Sequence, residues 1–238
     1  ACALRLKSEI PLARGMGSSA SAVVAGIEVA NQLLQLQLTA HDKLKIATMI
    51  EGHPDNAAAS IFGGFTISSS TDYGEIHVFH SYHINASFVL AIPSFELKTE
   101  LARNVLPEHY TRPIATQASA SANLLVAAFL SQSFEQAGIY MEEDLFHEPY
   151  RLDLIPHSRA LKIAAKKAGA FGTCISGAGP TLLSLVQKGK EMEFISQMKD
   201  SFPSFEFVPT SINKTGIVSL KQKPSKEVSK RPPQLSSI

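Results

Sequence analysis

The chain has 238 residues, of which 45% are hydrophobic and 18% are charged, and its formal net charge is +1. This composition is typical of a soluble globular protein, and the length suits one large domain or two small ones. The near-zero charge gives no reason to expect a nucleic acid or an anionic membrane as a partner. Only Cys2 and Cys174 are present, which argues against a disulfide framework and favours a reducing cytoplasm. We expect neither a signal peptide nor a membrane-spanning helix, because no apolar run approaches the roughly 20 residues that cross a bilayer.

A loop rich in glycine and serine precedes the first predicted helix. Residues 11–20 read P-L-A-R-G-M-G-S-S-A. Gly15 and Gly17 can adopt positive φ angles, which would let backbone N–H groups wrap an anion at the helix N-terminus. Ser18 and Ser19 could cap the helix or reach a metal bound to a phosphate. The loop lacks the lysine of a Walker A motif and the third glycine of a dinucleotide fingerprint, and on its own a simple capped turn explains it equally well.

The elements that follow mix helical and strand-like patterns. A helix is predicted over 18–35, and the capping-box pattern of Thr39 and Asp42 predicts a second helix that ends near residue 50. Further helices are predicted over 57–61, 99–106, 115–130 (as a buried helix), 158–168 and 191–202. Strands are predicted over 65–70, 75–80, 87–92, 170–175, 181–186, 204–211 and 215–220. Because helices and strands do not alternate strictly, the pattern predicts the α+β class.

Two more loops carry residues suited to chemistry. Residues 51–56 read E-G-H-P-D-N, and a carboxylate there could bind Mg²⁺, which prefers oxygen ligands. A polar turn in which Asp55 caps the next helix explains this segment at least as well. Residues 176–180 read S-G-A-G-P between two apolar strands, and taken alone they favour a tight hairpin connection.

Single polar side chains leave similar alternatives open. Arg103 and Arg151 have the forked guanidinium that binds a carboxylate or phosphate, although each is more often a solvated surface charge. His53 and His147 could act as acid–base groups, but a lone histidine more often makes structural hydrogen bonds.

Taken together and in this order, the three loops resemble those of the GHMP kinase superfamily. Other segments resemble the homoserine kinases within it: 51–59, 62–64 (F-G-G), 99–107 (T-E-L-A-R-N-V-L-P), 122–128 (A-N-L-L-V-A-A) and 146–151 (F-H-E-P-Y-R). The resemblance runs from Leu4 to Leu220. It is specific, because the middle segments are not shared by the sugar or mevalonate kinases.

The resemblance implies a GHMP kinase-like fold in two parts. The N-terminal part would resemble the second domain of ribosomal protein S5, here truncated, and the C-terminal part would be a ferredoxin-like α/β sandwich. We expect residues 1–80 to form the remainder of the ATP-binding domain and residues 81–220 to form the C-terminal domain. Residues 221–238 are rich in Lys, Pro and Ser and are predicted to be a disordered tail.

The resemblance also implies the activity: transfer of the γ-phosphoryl group of ATP to the hydroxyl of L-homoserine in threonine biosynthesis, with Mg²⁺. The implied ATP-binding residues are Pro11, Leu12, Ala13, Arg14, Gly15, Met16, Gly17, Ser18, Ser19, Ala20, Gly177 and Gly179. Ser18, or Ser19 beside it, and Glu51 would hold the metal. His53, Asn56, Arg103 and Arg151 would bind homoserine, and Asn56, Arg151 and Thr99 would lie nearest the reacting atoms.

Several further expectations follow from the resemblance. The homoserine kinase pattern suggests that no residue acts as a strong catalytic base, so the hydroxyl proton would leave late, toward the phosphate. A strand-rich N-terminal segment of the family has no match here. We therefore expect a fragment with little activity by itself, and a cytoplasmic homodimer when the enzyme is full length. Another GHMP small-molecule kinase, acting on a mevalonate-like alcohol, and a non-catalytic ligand-binding member are the alternatives.

Overall fold

The structure is a computed structural model that describes residues 3–71 and 73–220. Cys2 and the predicted tail over 221–238 lie outside the described residues. The helices are α1 (Ser18–Leu34), α2 (Ala40–Glu51), α3 (Asp55–Phe62), α4 (Thr99–Asn104), α5 (Arg112–Leu130), α6 (Phe134–Met141), α7 (Glu148–Arg151), α8 (Ser158–Lys167) and α9 (Glu191–Met198). A 3₁₀ turn (Leu152–Leu154) follows α7. The strands are β1 (Phe65–Ser70), β2 (Ile76–Ser81), β3 (Ser87–Pro93), β4 (Gly172–Ile175), β5 (Leu182–Val186) and β6 (Phe205–Ser211).

The N-terminal part packs three helices beside a β-hairpin. The capping box predicted for α2 is present, because Thr39 Oγ1 accepts from the Asp42 N–H and the Asp42 carboxylate accepts from the Thr39 N–H. β1 and β2 pair antiparallel, with Phe65 opposite Ser81. The buried residues of this part are Val24, Ile27, Leu44, Ala47, Ala57, Ala58 and Ile61. This core holds α1 and α3 together, so their N-termini lie side by side.

The C-terminal part is a four-stranded antiparallel sheet in the order β4-β5-β3-β6. With helices between β3 and β4 and between β5 and β6, this is the split β-α-β arrangement of ferredoxin-like folds. Alternate residues of the strands face two cores: Val89 and Leu182 pack with α8 and α9, whereas Phe88 and Leu185 pack with α5 and α6. The expected α+β class and ferredoxin-like sandwich are confirmed.

The last predicted strand, over 215–220, is absent: this segment has no strand. It instead lies on the end of α3, where the Ile217 N–H donates to Ile61 O at 3.2 Å. A Cβ at Gly216 would lie 2.3 Å from the same oxygen, so only glycine permits this close approach. The prediction is wrong because the alternation of apolar and polar side chains carries no information about a contact between the backbone and a helix end.

Helix α5 corrects the premise that no apolar run approaches the length of a membrane span, and it also corrects a predicted burial. It is long and apolar enough to cross a membrane by length and composition alone, although a core helix of a soluble protein passes the same test. The sequence also predicts α5 to be buried, but its buried residues are only Ala118, Ser121, Ala128 and Phe129. Leu124 is 46% exposed. Alanine and serine fit a surface as well as a core, so their abundance in α5 does not indicate burial.

Candidate active site

The loop before α1 leaves a helix N-terminus open. Ala13, Gly15 and Gly17 have φ angles of 52°, 70° and 74°, so three of five residues are left-handed. Gly17 is the N-cap and supplies no side-chain hydrogen bond. The helical ladder begins with the Ser21 N–H donating to Gly17 O at 3.0 Å, so the three N–H groups before it are available to an anion. Ala20 belongs to the same predicted ATP-binding segment, but its side chain is buried in the core.

The second glycine loop packs directly on the first. Ser176 Oγ donates to Gly15 O at 2.9 Å. A Cβ on Gly15 would lie 2.3 Å from Ser176 O and 2.6 Å from Gly179 O, and one on Gly177 would lie 3.0 Å from Gly15 O. These distances leave no room for side chains between the loops, so the backbones of the two loops are in direct contact.

A hydroxyl and a carboxylate meet at the start of α1. Ser19 Oγ donates to Glu51 Oε1 at 2.7 Å, and Glu51 is the last residue of α2. The structure thus brings Ser19, the neighbour of Ser18, into contact with this carboxylate. Among the described residues no group of three His, Cys, Asp or Glu could hold a metal. The pair nevertheless fits Mg²⁺, which is commonly held by one or two protein oxygens together with substrate phosphates and water.

The start of α3 completes the other side of this region. Asn56 faces the first loop, since a Cβ on Gly17 would lie 3.2 Å from Asn56 Oδ1. Asp55 Oδ1 accepts from the Asn56 N–H at 2.7 Å and also contacts His53 Nδ1. The Asp55 side chain is 69% exposed. Its carboxylate therefore orients His53 and the first turn of α3 from the solvent side.

A cavity of about 270 Å³ lies beside Asn56. Its lining residues are Ile10, Met16, Gly17, Asn56, Ala59, Ser60, Gly63, Asn213 and Gly216. The cavity combines amide and hydroxyl groups with apolar walls, which is typical of a site for a small polar molecule.

The two arginines differ in their surroundings. Arg151 is 8% exposed; its Nε donates to Ala102 O at 2.8 Å and its Nη1 donates to Gly177 O at 3.2 Å. Burial lowers the pKa of Arg151, while the charge of Asp144 raises it and that of Arg103 lowers it. Arg103 directly follows Ala102, whose carbonyl accepts from Arg151 Nε, so the two arginines lie on adjoining segments. Arg103 and Thr99 are exposed on α4. Arg151 beside the second glycine loop, with Arg103 on the adjoining helix α4, is suited to an anionic substrate group.

An acidic residue that the sequence pattern does not mark as functional builds the turn that leads into α7 and Arg151. Asp144 accepts from the N–H groups of Phe146, His147 and Glu148 at 2.8, 3.2 and 2.9 Å. Burial would raise the pKa of Asp144, but the hydrogen bonds from His147 and from the backbone outweigh it and hold the pKa at about 2. An aspartate four residues before the Glu-Pro start of α7 can accept from the turn that leads into the helix, and this signal is visible in the sequence.

We expect Asp144→Asn to lower the free energy of unfolding by about 1–2 kcal/mol at neutral pH, because the amide accepts these bonds less well. The carboxyl pKa is lowered in the folded state, so this stability is fully present above its unfolded pKa of about 4 and is lost as the pH falls toward 2. Urea unfolding at pH 7 and at pH 3 measures the stability loss and its dependence on pH. Asp153→Asn, at an exposed ion pair, is the control and should change little. Equal effects of the two variants would contradict the capping role.

An open helix N-terminus between two glycine loops, with a hydroxyl–carboxylate pair beside it and a buried arginine on the second loop, is suited to an enzyme that handles a phosphorylated small molecule without a Walker A loop. Comparison with known proteins agrees. The family model for the GHMP kinases N terminal domain matches residues 1–64, and that for the GHMP kinases C terminal matches residues 125–204.

Homoserine kinases are among the similar proteins. The homoserine kinase of Oceanobacillus iheyensis is 54% identical over 189 residues, which cover 79% of this chain and 64% of that protein. The homoserine kinase of Bacillus pumilus is 44% identical over 215 residues, covering 90% of this chain and 69% of that one. The crystal structure of homoserine kinase from Cytophaga hutchinsonii matches with a TM-score of 0.77 at 30% identity, over 88% of this chain and 69% of that one. The chain belongs to the homoserine kinase family of the GHMP kinases, and it spans about two thirds of the length of these relatives.

Proposed function

We propose that the protein containing this chain phosphorylates the side-chain hydroxyl of L-homoserine with ATP. The observation that carries the proposal is the contact of buried Arg151 with Gly177, in the loop that packs on Gly15 just before α1. Arg151 also contacts α4 at Ala102, the residue before Arg103. This arrangement offers one site for a phosphate and a second, cationic site for a carboxylate. The homoserine kinases that share 44–54% identity with the chain support the choice of substrate.

The triphosphate would lie on the first loop, from Pro11 through Ala20, with Gly177 and Gly179 closing over it. The left-handed backbone at Gly15 and Gly17 and the open N–H groups of α1 support this placement. Arg14 belongs to the loop, but its side chain is turned away to the carbonyl groups of Pro93 and Ser94. Its backbone, not its guanidinium, would then contribute to the phosphate site.

Mg²⁺ would be held by Glu51 with a serine hydroxyl of the first turn of α1. The sequence leaves Ser18 and Ser19 as candidates, and the contact between Ser19 Oγ and Glu51 favours Ser19. When bound, the ion would neutralise phosphate charge that develops during transfer.

Homoserine would bind with its carboxylate on Arg103 and Arg151 and its hydroxyl near Asn56, while His53 lines the substrate side and Thr99 approaches the phosphoryl group. The transition state of phosphoryl transfer is loose, so most of the rate would come from holding the hydroxyl in line with the γ-phosphorus and from neutralising charge. The hydroxyl oxygen forms the new bond to phosphorus as ADP leaves. Its proton passes late to the transferred phosphate, without a protein base.

The base-free step predicts that Asp55→Ala keeps kcat within about 10-fold of the wild type, less than the 10²–10⁴-fold that a general base contributes. The structure supports this prediction, because Asp55 is exposed and its Oδ1 already contacts His53 and the Asn56 N–H. Single-turnover kinetics on enzyme saturated with both substrates measure the rate of phosphoryl transfer. A fall of several orders of magnitude in kcat, with ATP and homoserine binding intact, would show that Asp55 is the base.

We further propose that residues 1–80 belong to the ATP-binding domain and 81–220 to the C-terminal domain. The full-length protein is proposed to be a cytoplasmic homodimer that binds neither nucleic acid nor membrane. The packing of α1, α2 and α3 into one core and of the four-stranded sheet into others supports a boundary between these two parts, although Gly216 and Ile217 pack on α3 in the N-terminal part.

The function is tested by measuring ADP release from the product of the complete gene, with homoserine or mevalonate as the acceptor. We expect ADP release with homoserine but not with mevalonate. This turnover should be abolished by EDTA and restored by Mg²⁺. Preference for mevalonate would assign the protein to another branch of the superfamily. ATP binding without turnover on either acceptor would indicate a non-catalytic member.

A further inference from the structure

The side chain of Arg14 connects the first loop to the end of β3. Its Nε donates to Pro93 O at 3.0 Å and its Nη2 donates to Ser94 O at 2.9 Å. Its Nη1 donates to Leu12 O, in the loop itself, at 3.2 Å. The side chain is only 14% exposed. One guanidinium thus holds carbonyl groups from two segments that are about eighty residues apart in the sequence.

The backbone around Arg14 makes two further contacts with the C-terminal part. The Leu97 N–H donates to Ala13 O at 3.3 Å, and the Thr181 N–H approaches Arg14 O at 3.4 Å. Leu97 is buried and is followed, two residues later, by the start of α4. The connection that receives the Arg14 side chain therefore leads directly into the helix that carries Thr99 and Arg103.

The chemistry of this contact requires a guanidinium. The carbonyl groups of Pro93 and Ser94 are adjacent in the chain, and the rigid fork of arginine can donate to both at once. A lysine ammonium retains the charge but is a point donor without that geometry. The ion pair of Arg14 with Glu96 is secondary, because the atoms are 3.5 Å apart and the Glu96 side chain is 65% exposed.

We propose that Arg14 is a positioning residue: it fixes the distance between the phosphate-binding loop and α4, and hence between the transferred phosphoryl group and the acceptor. This inference rests on the proposed function. The Arg14 guanidinium touches neither reactant in this role. Loss of the Arg14 side chain would leave the phosphate site and the acceptor site each intact but let them shift relative to one another. A misplacement of about 1 Å can reduce the rate of a chemical step about 10²-fold.

The test compares Arg14→Ala, Arg14→Lys and the control Glu96→Gln in the complete protein. We expect Arg14→Ala to lower kcat about 100-fold while the KM for ATP changes less than about 5-fold, and Arg14→Lys to recover only part of kcat. Guanidinium ion at millimolar concentration should partly restore the alanine variant. Glu96→Gln should keep the wild-type kcat.

A second measurement needs no catalysis. Amide hydrogen exchange at Leu97 should accelerate at least about 10-fold in Arg14→Ala relative to Glu96→Gln, because the contact between the loop and the β3–α4 connection opens locally. Unchanged exchange at Leu97 would overturn the proposal, and so would a loss expressed wholly in KM for ATP. If the wild-type protein fails to phosphorylate homoserine, the proposed function fails, and the exchange result still decides whether Arg14 holds the two segments together.

Discussion

Replacing Gly15 by alanine is expected to lower kcat by about 100-fold or more and the free energy of unfolding by about 2–4 kcal/mol. Two physical reasons combine. The φ angle of Gly15 is 70°, a conformation that costs an alanine about 1–2 kcal/mol. The added Cβ would also lie 2.3 Å from Ser176 O and 2.8 Å from Gly179 N, and both are backbone atoms that cannot rotate away. The two glycine loops would have to separate, which displaces the proposed phosphate site.

A matched control lies in the next helix. Gly26 is on an exposed part of α1, and a Cβ at this position would have no neighbouring atom within 4 Å. Gly26→Ala should therefore be neutral or stabilise the protein by up to about 1 kcal/mol. Urea unfolding gives the stability of both variants, and steady-state kinetics with varied ATP gives their activity. Wild-type kcat in folded Gly15→Ala would show that the contact between the loops is not needed for phosphate positioning.

The sequence predicts well those features that depend on neighbours along the chain. The turn before α2 is defined by Thr39 and Asp42, three residues apart, and the structure forms both bonds of that capping box. The glycines of the first loop similarly mark left-handed backbone, which is observed at Gly15 and Gly17. Such signals are local, so no tertiary contact is needed to interpret them.

Features that depend on tertiary contact were not predictable in the same way. Helix α7 is four residues long and owes its position to the Asp144 cap and to the buried ion pair of Glu148 with Lys162. Burial raises the pKa of Glu148, and the hydrogen bond and charge of Lys162 oppose that rise. A charged residue at a core position looks like a surface residue in the sequence. The role of Arg14 was hidden for the same reason, since its partners are backbone carbonyl groups of β3 and the residue after it.

The second large effect is expected for Arg151→Lys, which should lower kcat/KM for homoserine about 100- to 1000-fold. The Arg151 guanidinium donates one hydrogen bond to Ala102 O and one to Gly177 O, and so joins α4 to the second glycine loop. Its remaining N–H groups are left for the proposed substrate carboxylate. A lysine keeps the charge but cannot reach both carbonyl groups and the substrate at once, and losing one partner of a buried charged pair costs about 2–5 kcal/mol.

Arg159→Lys provides the comparison, because Arg159 is 61% exposed and pairs with Asp153 at the surface. We expect it to retain wild-type kinetics, since exposed pairs contribute about 0–1 kcal/mol. For Arg151→Lys, the loss should fall on homoserine and spare the equilibrium binding of ATP, measured by calorimetry, and the unfolding free energy should drop by about 1–3 kcal/mol from the carbonyl left unpaired. A folded Arg151→Lys protein with kcat/KM within about 10-fold of the wild type would remove Arg151 from the substrate site. It would leave the guanidinium as a structural bridge between α4 and the second loop, and the carboxylate would then have to bind to Arg103 alone.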